Sequence, residues 1–290
     1  MLDQPMVSVI IPSYGRPKIL EDTVSSLLKQ TVSPLEILIS VVSSDDITPT
    51  TASIPSVRIL YGHRGSCAQR NTGIRALDPR SAFVLFLDDD VELPTTYIEA
   101  ALRAMSERED AAVVAGTFLA ERVTRERARE IASKFKITSN GTALVESRSA
   151  FGGNMLVRAF IAKKIPFDES LPLYGWLEDF DWSAQAARLG KIIKSSSVAM
   201  VHLAAGTARI SPKQYGYVQI VNPCYLWKKR SIRHVGELIY GHWGRTVPRN
   251  IVGCVIGANR AERMERLRGN ALAFRDLFRG RCTPMRATEL

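Results

Sequence analysis

The 290-residue chain predicts an α/β domain followed by a basic, mainly helical extension. Three observations carry that reading. β-branched apolar runs alternate with amphipathic helical stretches over the first 90 residues. The strongest run, AFVLFL at 82–87, leads directly into Asp88, Asp89 and Asp90. The charge is confined to one end: residues 210–290 hold 15 Lys and Arg against 5 Asp and Glu, a balance of +10, and residues 1–209 are neutral.

Residues 6–12 (MVSVIIP) form a continuous apolar run that stops at a proline, which is how a strand buried on both faces reads. Residues 17–30 put Ile19, Leu20, Val24, Leu27 and Leu28 on one helical face. Strands follow at 35–42 and 57–61, a helix at 66–76 after Gly65, and the strand at 82–87. This alternation predicts a Rossmann-like mixed sheet flanked by helices. Beyond it a helix is expected at 94–107, a strand at 111–118, and an exposed helix or mobile segment at 121–136. The apolar MLV follows Gly152, Gly153 and Asn154, and 172–176 is a loop with two aromatics. A helix at 178–189 is closed by Gly190, and short strands follow at 191–195 and 198–202. The domains expected are 1–209 and 210–290.

With 46% apolar and 23% charged residues and a mean hydropathy of −0.03, the composition is globular. It excludes wholesale disorder, collagen and coiled coil. No apolar run approaches the roughly 20 residues of a membrane-spanning helix. The opening MLDQPMVSVIIP has no basic stretch ahead of an apolar one, so no signal peptide is expected. Cys67, Cys224, Cys254 and Cys282 are scattered without CxxC spacing, which fits a reducing cytoplasm.

Four motifs carry chemistry. Open α/β sheets bind ligands at the carboxyl ends of their strands, where Asp88, Asp89 and Asp90 are expected. Three adjacent carboxylates repel unless a cation or donors sit among them. They read either as a Mg²⁺ or Mn²⁺ site for a diphosphate or as an acidic loop capping a helix. In GSCAQRNTGI, Arg70 reads either as facing a phosphate or ribose or as a surface arginine with Asn71 capping locally. Glu178 and Asp179 open a helix, as an N-cap or as a general base. His202 ends a strand, as a structural histidine or as one further Mn²⁺ ligand.

The order VSVIIPSYGRP, QRNTGI, FLDDDV, GGNMLVR, WLEDFDWSAQAARLG, VAMVH resembles the inverting family 2 glycosyltransferases with the GT-A fold, over residues 6–205. The resemblance implies a nucleotide-sugar donor, a UDP-sugar being expected, and a carbohydrate or lipid-linked acceptor. Pro12, Tyr14 and Arg16 would line the nucleotide pocket, and Arg70 would reach the diphosphate. Asp88 would lie near the ribose and the metal, Asp90 on the metal with His202, and Asp89 among the donor-binding residues. Gly152, Gly153 and Asn154 would border the donor sugar. Asp179 would be the base, Glu178 would orient or cap, and Trp176 would floor the acceptor pocket. The cation would be Mn²⁺ or Mg²⁺.

Two positions depart from the family. Its aspartate directly after strand two is missing from SVVSSDD, so Asp45, Asp46 or a backbone group would read the nucleobase. PSYN becomes PSYG at Gly15. Two other functions fit parts of the sequence. A sugar-phosphate nucleotidyltransferase would show a glycine-rich, basic loop after strand one, where PSYGRP offers one glycine. A non-enzymatic polyanion binder would act through residues 210–290, and the neutral body disfavours nucleic acid as a partner. In that segment Leu267, Leu272, Phe274, Leu277 and Phe278 lie among arginines. It reads as lying on an anionic membrane surface, peripheral on the inner face, or as packed on the body.

Overall fold

A computed structural model describes residues 6–136, 143–204, 210–256 and 259–290. These fall into two compact units: the second takes residues 65–67, 168–181 and those from 210 onward, and the first takes the rest. Residues 168–181, which carry Glu178 and Asp179, therefore sort with the helical extension.

Up to residue 202 the elements are β1 (Val7–Pro12), α1 (Pro17–Leu27), β2 (Glu36–Val41), α2 (Pro49–Ala52), β3 (Val57–Tyr61), α3 (Ser66–Arg75), β4 (Phe83–Leu87), β5 (Val91–Glu92), α4 (Tyr97–Ser106), β6 (Ala111–Glu121), α5 (Arg125–Lys134), β7 (Leu144–Glu146), β8 (Asn154–Arg158), α6 (Ala159–Lys164), α7 (Glu178–Ala186) and β9 (Lys191–His202). The strands make one nine-stranded mixed sheet, in the order β3-β2-β1-β4-β8-β6-β9-β5 with β7 against β9. β3, β2, β1 and β4 run parallel, and β8 opposes both β4 and β6. All of β2 and the first five residues of β1 are buried, as unalternating apolar runs require. α3 lies so close on β1 that a Cβ at Gly73 would fall 2.6 Å from Ile10 Cγ2.

α2, β7 and α6 have no counterpart in the sequence reading, and other elements differ from it. The two strands expected at 191–195 and 198–202 are one, β9, irregular in register against β6 between the Ala115–Lys194 and Thr117–Ala199 pairs. The helix expected to reach 189 ends at Ala186, and Arg188 and Leu189 tighten onto the Gln185 and Ala186 carbonyls. Gly190 is required by packing, since a Cβ there would sit 2.9 Å from the Asp110 carbonyl oxygen. Glu121, expected in the charged helix, is the last residue of β6. β5, two residues long, is too short to carry a period, yet it pairs Val91 with His202.

The second unit is helical: α8 (Pro212–Lys228), a π-helical turn (Glu237–Trp243), α9 (Gly244–Ile256), α10 (Arg260–Phe278) and a 3-10 turn (Pro284–Glu289). Ser211 and Gln214 cap α8 reciprocally. α8 and α10 cross at Gly216 and Gly269, where added Cβ atoms would fall 2.0 Å from the Arg266 carbonyl oxygen and 2.1 Å from that of Lys213. Leu272, Phe274 and Leu277 pack against the core built on Tyr217, Ile220 and Val221. These three are thus partly buried within the helical unit, whereas Phe278 is strongly exposed.

Candidate active site

The carboxyl ends of β1, β2 and β4 meet the far end of β9. The acidic triplet follows β4 in a bend, and the Arg16 guanidinium reaches two of its members, Asp89 and, at 3.1 Å, Asp90. Asp89 is fully buried; its carboxylate accepts from Ser13 Oγ at 2.6 Å and pairs with the Arg16 guanidinium. Burial pushes the Asp89 carboxyl up, to about 7, against the pull of Arg16. Desolvation lowers the Arg16 pKa, but the field of Asp89, Asp90 and Asp88 outweighs it and the net shift is upward. The pair fixes the turn after β1 to the loop after β4.

Asp88 and Asp90 face His202. Its Nε2 lies 3.3 Å from Asp90 Oδ1 and 4.0 Å from Asp88 Oδ2, while Nδ1 lies 3.3 Å from Glu121 Oε1. The ring stacks on Phe118 with centroids 5.5 Å apart. Two backbone links bring it there: the β5–β9 pairing, and the Leu203 N–H donated to the Asp90 carbonyl at 2.9 Å. Among the described residues, Asp88, Asp90 and His202 form a set whose ligand atoms lie within 4.8 Å of one another. Two carboxylates and an imidazole fit Mn²⁺ by donor chemistry, and Glu121 orients the ring as an outer carboxylate does in metal sites. Burial lowers the His202 pKa, but the Asp90 hydrogen bond and the Asp90 and Asp88 charges raise it further, to about 9. In the free protein a protonated imidazole offsets the acidic pair at neutral pH.

Arg70 and Gly153 complete this wall. Arg70 Nη2 lies 3.3 Å from Asp88 Oδ1, and its guanidinium stands 5.3 Å over the Phe167 ring. A Cβ at Gly153 would fall 2.2 Å from Asp88 Cγ, so only glycine leaves room for the carboxylate. Asn154 is fully buried, accepting from Tyr97 Oη and donating to the Thr117 carbonyl at 3.2 Å. Asn71 exchanges two hydrogen bonds with the Phe167 backbone, at 2.8 and 2.9 Å.

At the end of β1, Pro12 is its last residue and Tyr14 is half-buried under Arg64, whose guanidinium lies 4.2 Å from the ring centroid. Asp46 is buried and accepts the backbone N–H of Gly15 at 2.6 Å, Ser43 at 2.9 Å and Val42 at 3.0 Å. Gly15 has φ 68, a left-handed conformation that glycine and asparagine take with least cost, which accounts for glycine standing where the resembling family has Asn. Asp45 is exposed. Sequence reasoning missed Gln69, whose amide ties the Ser13 and Ser40 carbonyls at 2.8 and 2.7 Å. It also missed Ser13 and Glu121; the only signal for Gln69 was its place beside Arg70 in the QRNTG run.

Glu178, Asp179 and Trp176 belong to the second unit. The loop before them is strained: Leu173, Gly175 and Leu177 have φ 58, 62 and 71. It is held by the Ser66 N–H donated to the Leu173 carbonyl at 2.8 Å, and a Cβ at Gly175 would fall 2.6 Å from Ser66 Oγ. Asp179 Oδ1 accepts the Phe180 N–H at 2.7 Å. Two residues on, buried Asp181 is gripped by Ser231 Oγ and by Lys229 Nζ at 2.6 Å. Lys229 also reaches Asp168 at 2.7 Å, which Tyr225 Oη meets at 2.8 Å. Burial lowers the Lys229 pKa, but these carboxylates raise it more. The Trp176 carbonyl accepts from Asn222 at 2.8 Å, and its ring meets Tyr215 edge-on at 5.4 Å and stacks with Tyr174 at 6.4 Å.

A family model described as glycosyl transferase family 2 matches residues 8–166, more than half of the chain. Validoxylamine A glucosyltransferase of Streptomyces hygroscopicus subsp. limoneus is 33% identical over 123 residues, covering 39% of this chain and 26% of that protein. The chain spans about a quarter of the length of such curated relatives. Two solved structures share the fold. S. aureus TarS 1–349 has a TM-score of 0.58 at 16% identity, over 97% of this chain and 82% of that one. The mannosyltransferase PcManGT from Pyrobaculum calidifontis, in complex with GDP-Man and Mn²⁺, has a TM-score of 0.61 at 14% identity, over 95% and 88%.

Proposed function

The chain belongs to glycosyl transferase family 2 and has its GT-A fold, and on that premise we propose that it moves a sugar from a nucleotide-diphosphate sugar to a hydroxyl acceptor, inverting the anomeric centre. The convergence of Asp88, Asp90 and His202 at the carboxyl end of the sheet carries this reading. A UDP-sugar is the expected donor. The acceptor is a carbohydrate or a lipid-linked carbohydrate, in polysaccharide or glycolipid synthesis. The aromatic group of Tyr174, Trp176 and Tyr215 supports a sugar acceptor, since it offers flat apolar faces.

The roles follow from the chemistry. Pro12, Tyr14 and Arg16 line the nucleotide pocket, and Asp46 holds its turn in shape. Asp89 keeps Arg16 in place, and Arg70 lies at the diphosphate. Asp88, Asp90 and His202 would hold Mn²⁺ or Mg²⁺, which would supply positive charge against the negative charge of the departing diphosphate. Gly153 and Asn154 border the donor sugar. The acceptor oxygen bonds to the anomeric carbon as the bond to the β-phosphate oxygen breaks. The electron pair leaves with the diphosphate, and the hydroxyl proton passes to an Asp179 carboxylate oxygen. Glu178 orients the first turn of α7, and Trp176 floors the acceptor.

Peripheral attachment to an anionic membrane, on the cytoplasmic face, belongs to the same proposal and rests on the +10 balance of residues 210–290. No helix among the described residues is long and apolar enough to cross a membrane. The test of the activity is a panel of nucleotide-sugars with Mn²⁺ or Mg²⁺, read by nucleoside diphosphate release. Cation-dependent release from one donor, quickened by acceptor, is expected. Pyrophosphate release from a nucleoside triphosphate and a sugar phosphate would instead mark a nucleotidyltransferase.

A further inference from the structure

α9 presents two unlike faces. Its inner side is locked to the helical unit: buried Asn250 bonds Asn270 at 3.0 Å, Gln219 at 3.1 Å and Arg263 at 2.9 Å. Val247 packs on the helical core, and a Cβ at Gly253 would meet the Arg263 side chain at 2.9 Å. Its outer side is a stripe at helical spacing: Arg245, Pro248, Arg249, Val252, Val255 and Ile256, all exposed. The aliphatic end is bare, with Val252, Val255 and Ile256 at 52%, 63% and 76% exposure; Tyr240, in the turn before α9, stands at 77%. Single exposed apolar residues need no explanation, but a row on one helix face does.

We propose that this outer face of α9, with Tyr240, is the surface by which the protein docks on an anionic lipid bilayer. The inference rests on reading residues 210–290 as membrane-facing and names the face that does it. The stripe is basic at its N-terminal end and aliphatic at its C-terminal end, and α9 contains no acidic residue. A bilayer interface satisfies both ends, with phosphates for the arginines and the acyl boundary for the aliphatics. A second copy does not. A two-fold pairing of the stripe sets arginines against aliphatic side chains or against one another, with no carboxylate on α9 to meet them. The surface also differs from the one the sequence pattern suggested: Leu272, Phe274 and Leu277 face inward, and α9 supplies the aliphatics.

The test uses the full chain in co-sedimentation with vesicles of phosphatidylcholine alone or mixed with phosphatidylglycerol. Wild type is expected to sediment with the mixed vesicles, and rising salt releases part of it. Val252→Asp with Ile256→Asp changes only exposed positions; it is expected to lower partition roughly tenfold or more, as is Arg245→Glu with Arg249→Glu. Helix content and donor hydrolysis should not change in either. Equal partition of wild type and the Val252→Asp, Ile256→Asp variant overturns the α9 face while leaving the membrane reading standing. Absence of wild-type binding to mixed vesicles overturns both, and neither result touches the transferase reading. A wild-type dimer in solution that the aspartate variant makes monomeric assigns the face to a second copy and also overturns the proposal.

Discussion

The two acidic clusters of this molecule are built in opposite ways. At the end of the sheet, Asp88 and Asp90 converge on His202, and arginines answer them as well, Arg70 on Asp88 and Arg16 on Asp90 at 3.1 Å. In the helical unit, Asp168 and Asp181 are gathered on one Lys229, and hydroxyls of Tyr225 and Ser231 take up further lone pairs. In the first cluster one of the partners, His202, is a cation only while protonated, and it can give that proton up. The second is internally complete. A set at a strand end with a titratable member suits binding; a set closed around the buried Asp181 by a lysine and a hydroxyl suits holding something still. What the second set holds is α7, which carries Asp179 two residues before Asp181.

The contrast makes graded predictions. Asp179→Asn keeps size but removes the proposed proton acceptor, and should lower turnover roughly 10²- to 10⁴-fold with donor affinity nearly unchanged. Steady-state kinetics on the true acceptor check it; Asn caps a helix as well as Asp, so intact turnover would reduce Asp179 to a cap. Glu178→Gln should do less. Lys229→Ala strands Asp181 in the interior and should cost about 3 kcal/mol of stability in denaturant unfolding, which separates a holding network from a binding one. Glu121→Gln should weaken Mn²⁺ about 10- to 100-fold with little change in stability, since Glu121 meets the proposed cation site through His202 Nδ1.

The smallest effect is one of pH. His202 is held up to about 9, so below that the imidazole is charged in the free protein. A cation needs it neutral and must displace the proton. Mn²⁺ affinity should therefore rise by about tenfold per pH unit at most, and level off above about 9. The sign for the free fold is the reverse. A histidine whose pKa is raised from 6.5 to about 9 stabilises fully below 6.5, and that contribution fades as pH rises through about 9. Metal titrations and melting curves across this range read the two signs separately.

Much of this was legible in the sequence, and the rest was hidden for physical reasons. Strands buried on both faces announce themselves as unbroken β-branched runs, and the acids stand where the strongest run stops. β5 is two residues long and has no period to read, although its pairing brings His202 to Asp90. Asp46 could be found by residue type, but its three backbone donors come from two separate loops. The basic charge of residues 210–290 was plain, whereas the inward faces were not. The buried residues of α10 are Gly269, Asn270, Ala273 and Asp276, small and polar, while Leu272, Phe274 and Leu277 are only partly buried, so the pattern does not announce which face is inward. Likewise nothing local tells that residues 168–181 sort with the helical unit.

The central claim is that the converging acids and His202 bind a divalent cation for a nucleotide diphosphate. Calorimetric titration of UDP and GDP into the protein, with and without Mn²⁺, tests it most directly. At least one of them is expected to bind about tenfold or more tightly with Mn²⁺, and Asp90→Ala should abolish the difference while the variant melts as a folded protein. Equal affinity for both nucleotides with and without Mn²⁺ in the wild type would contradict it.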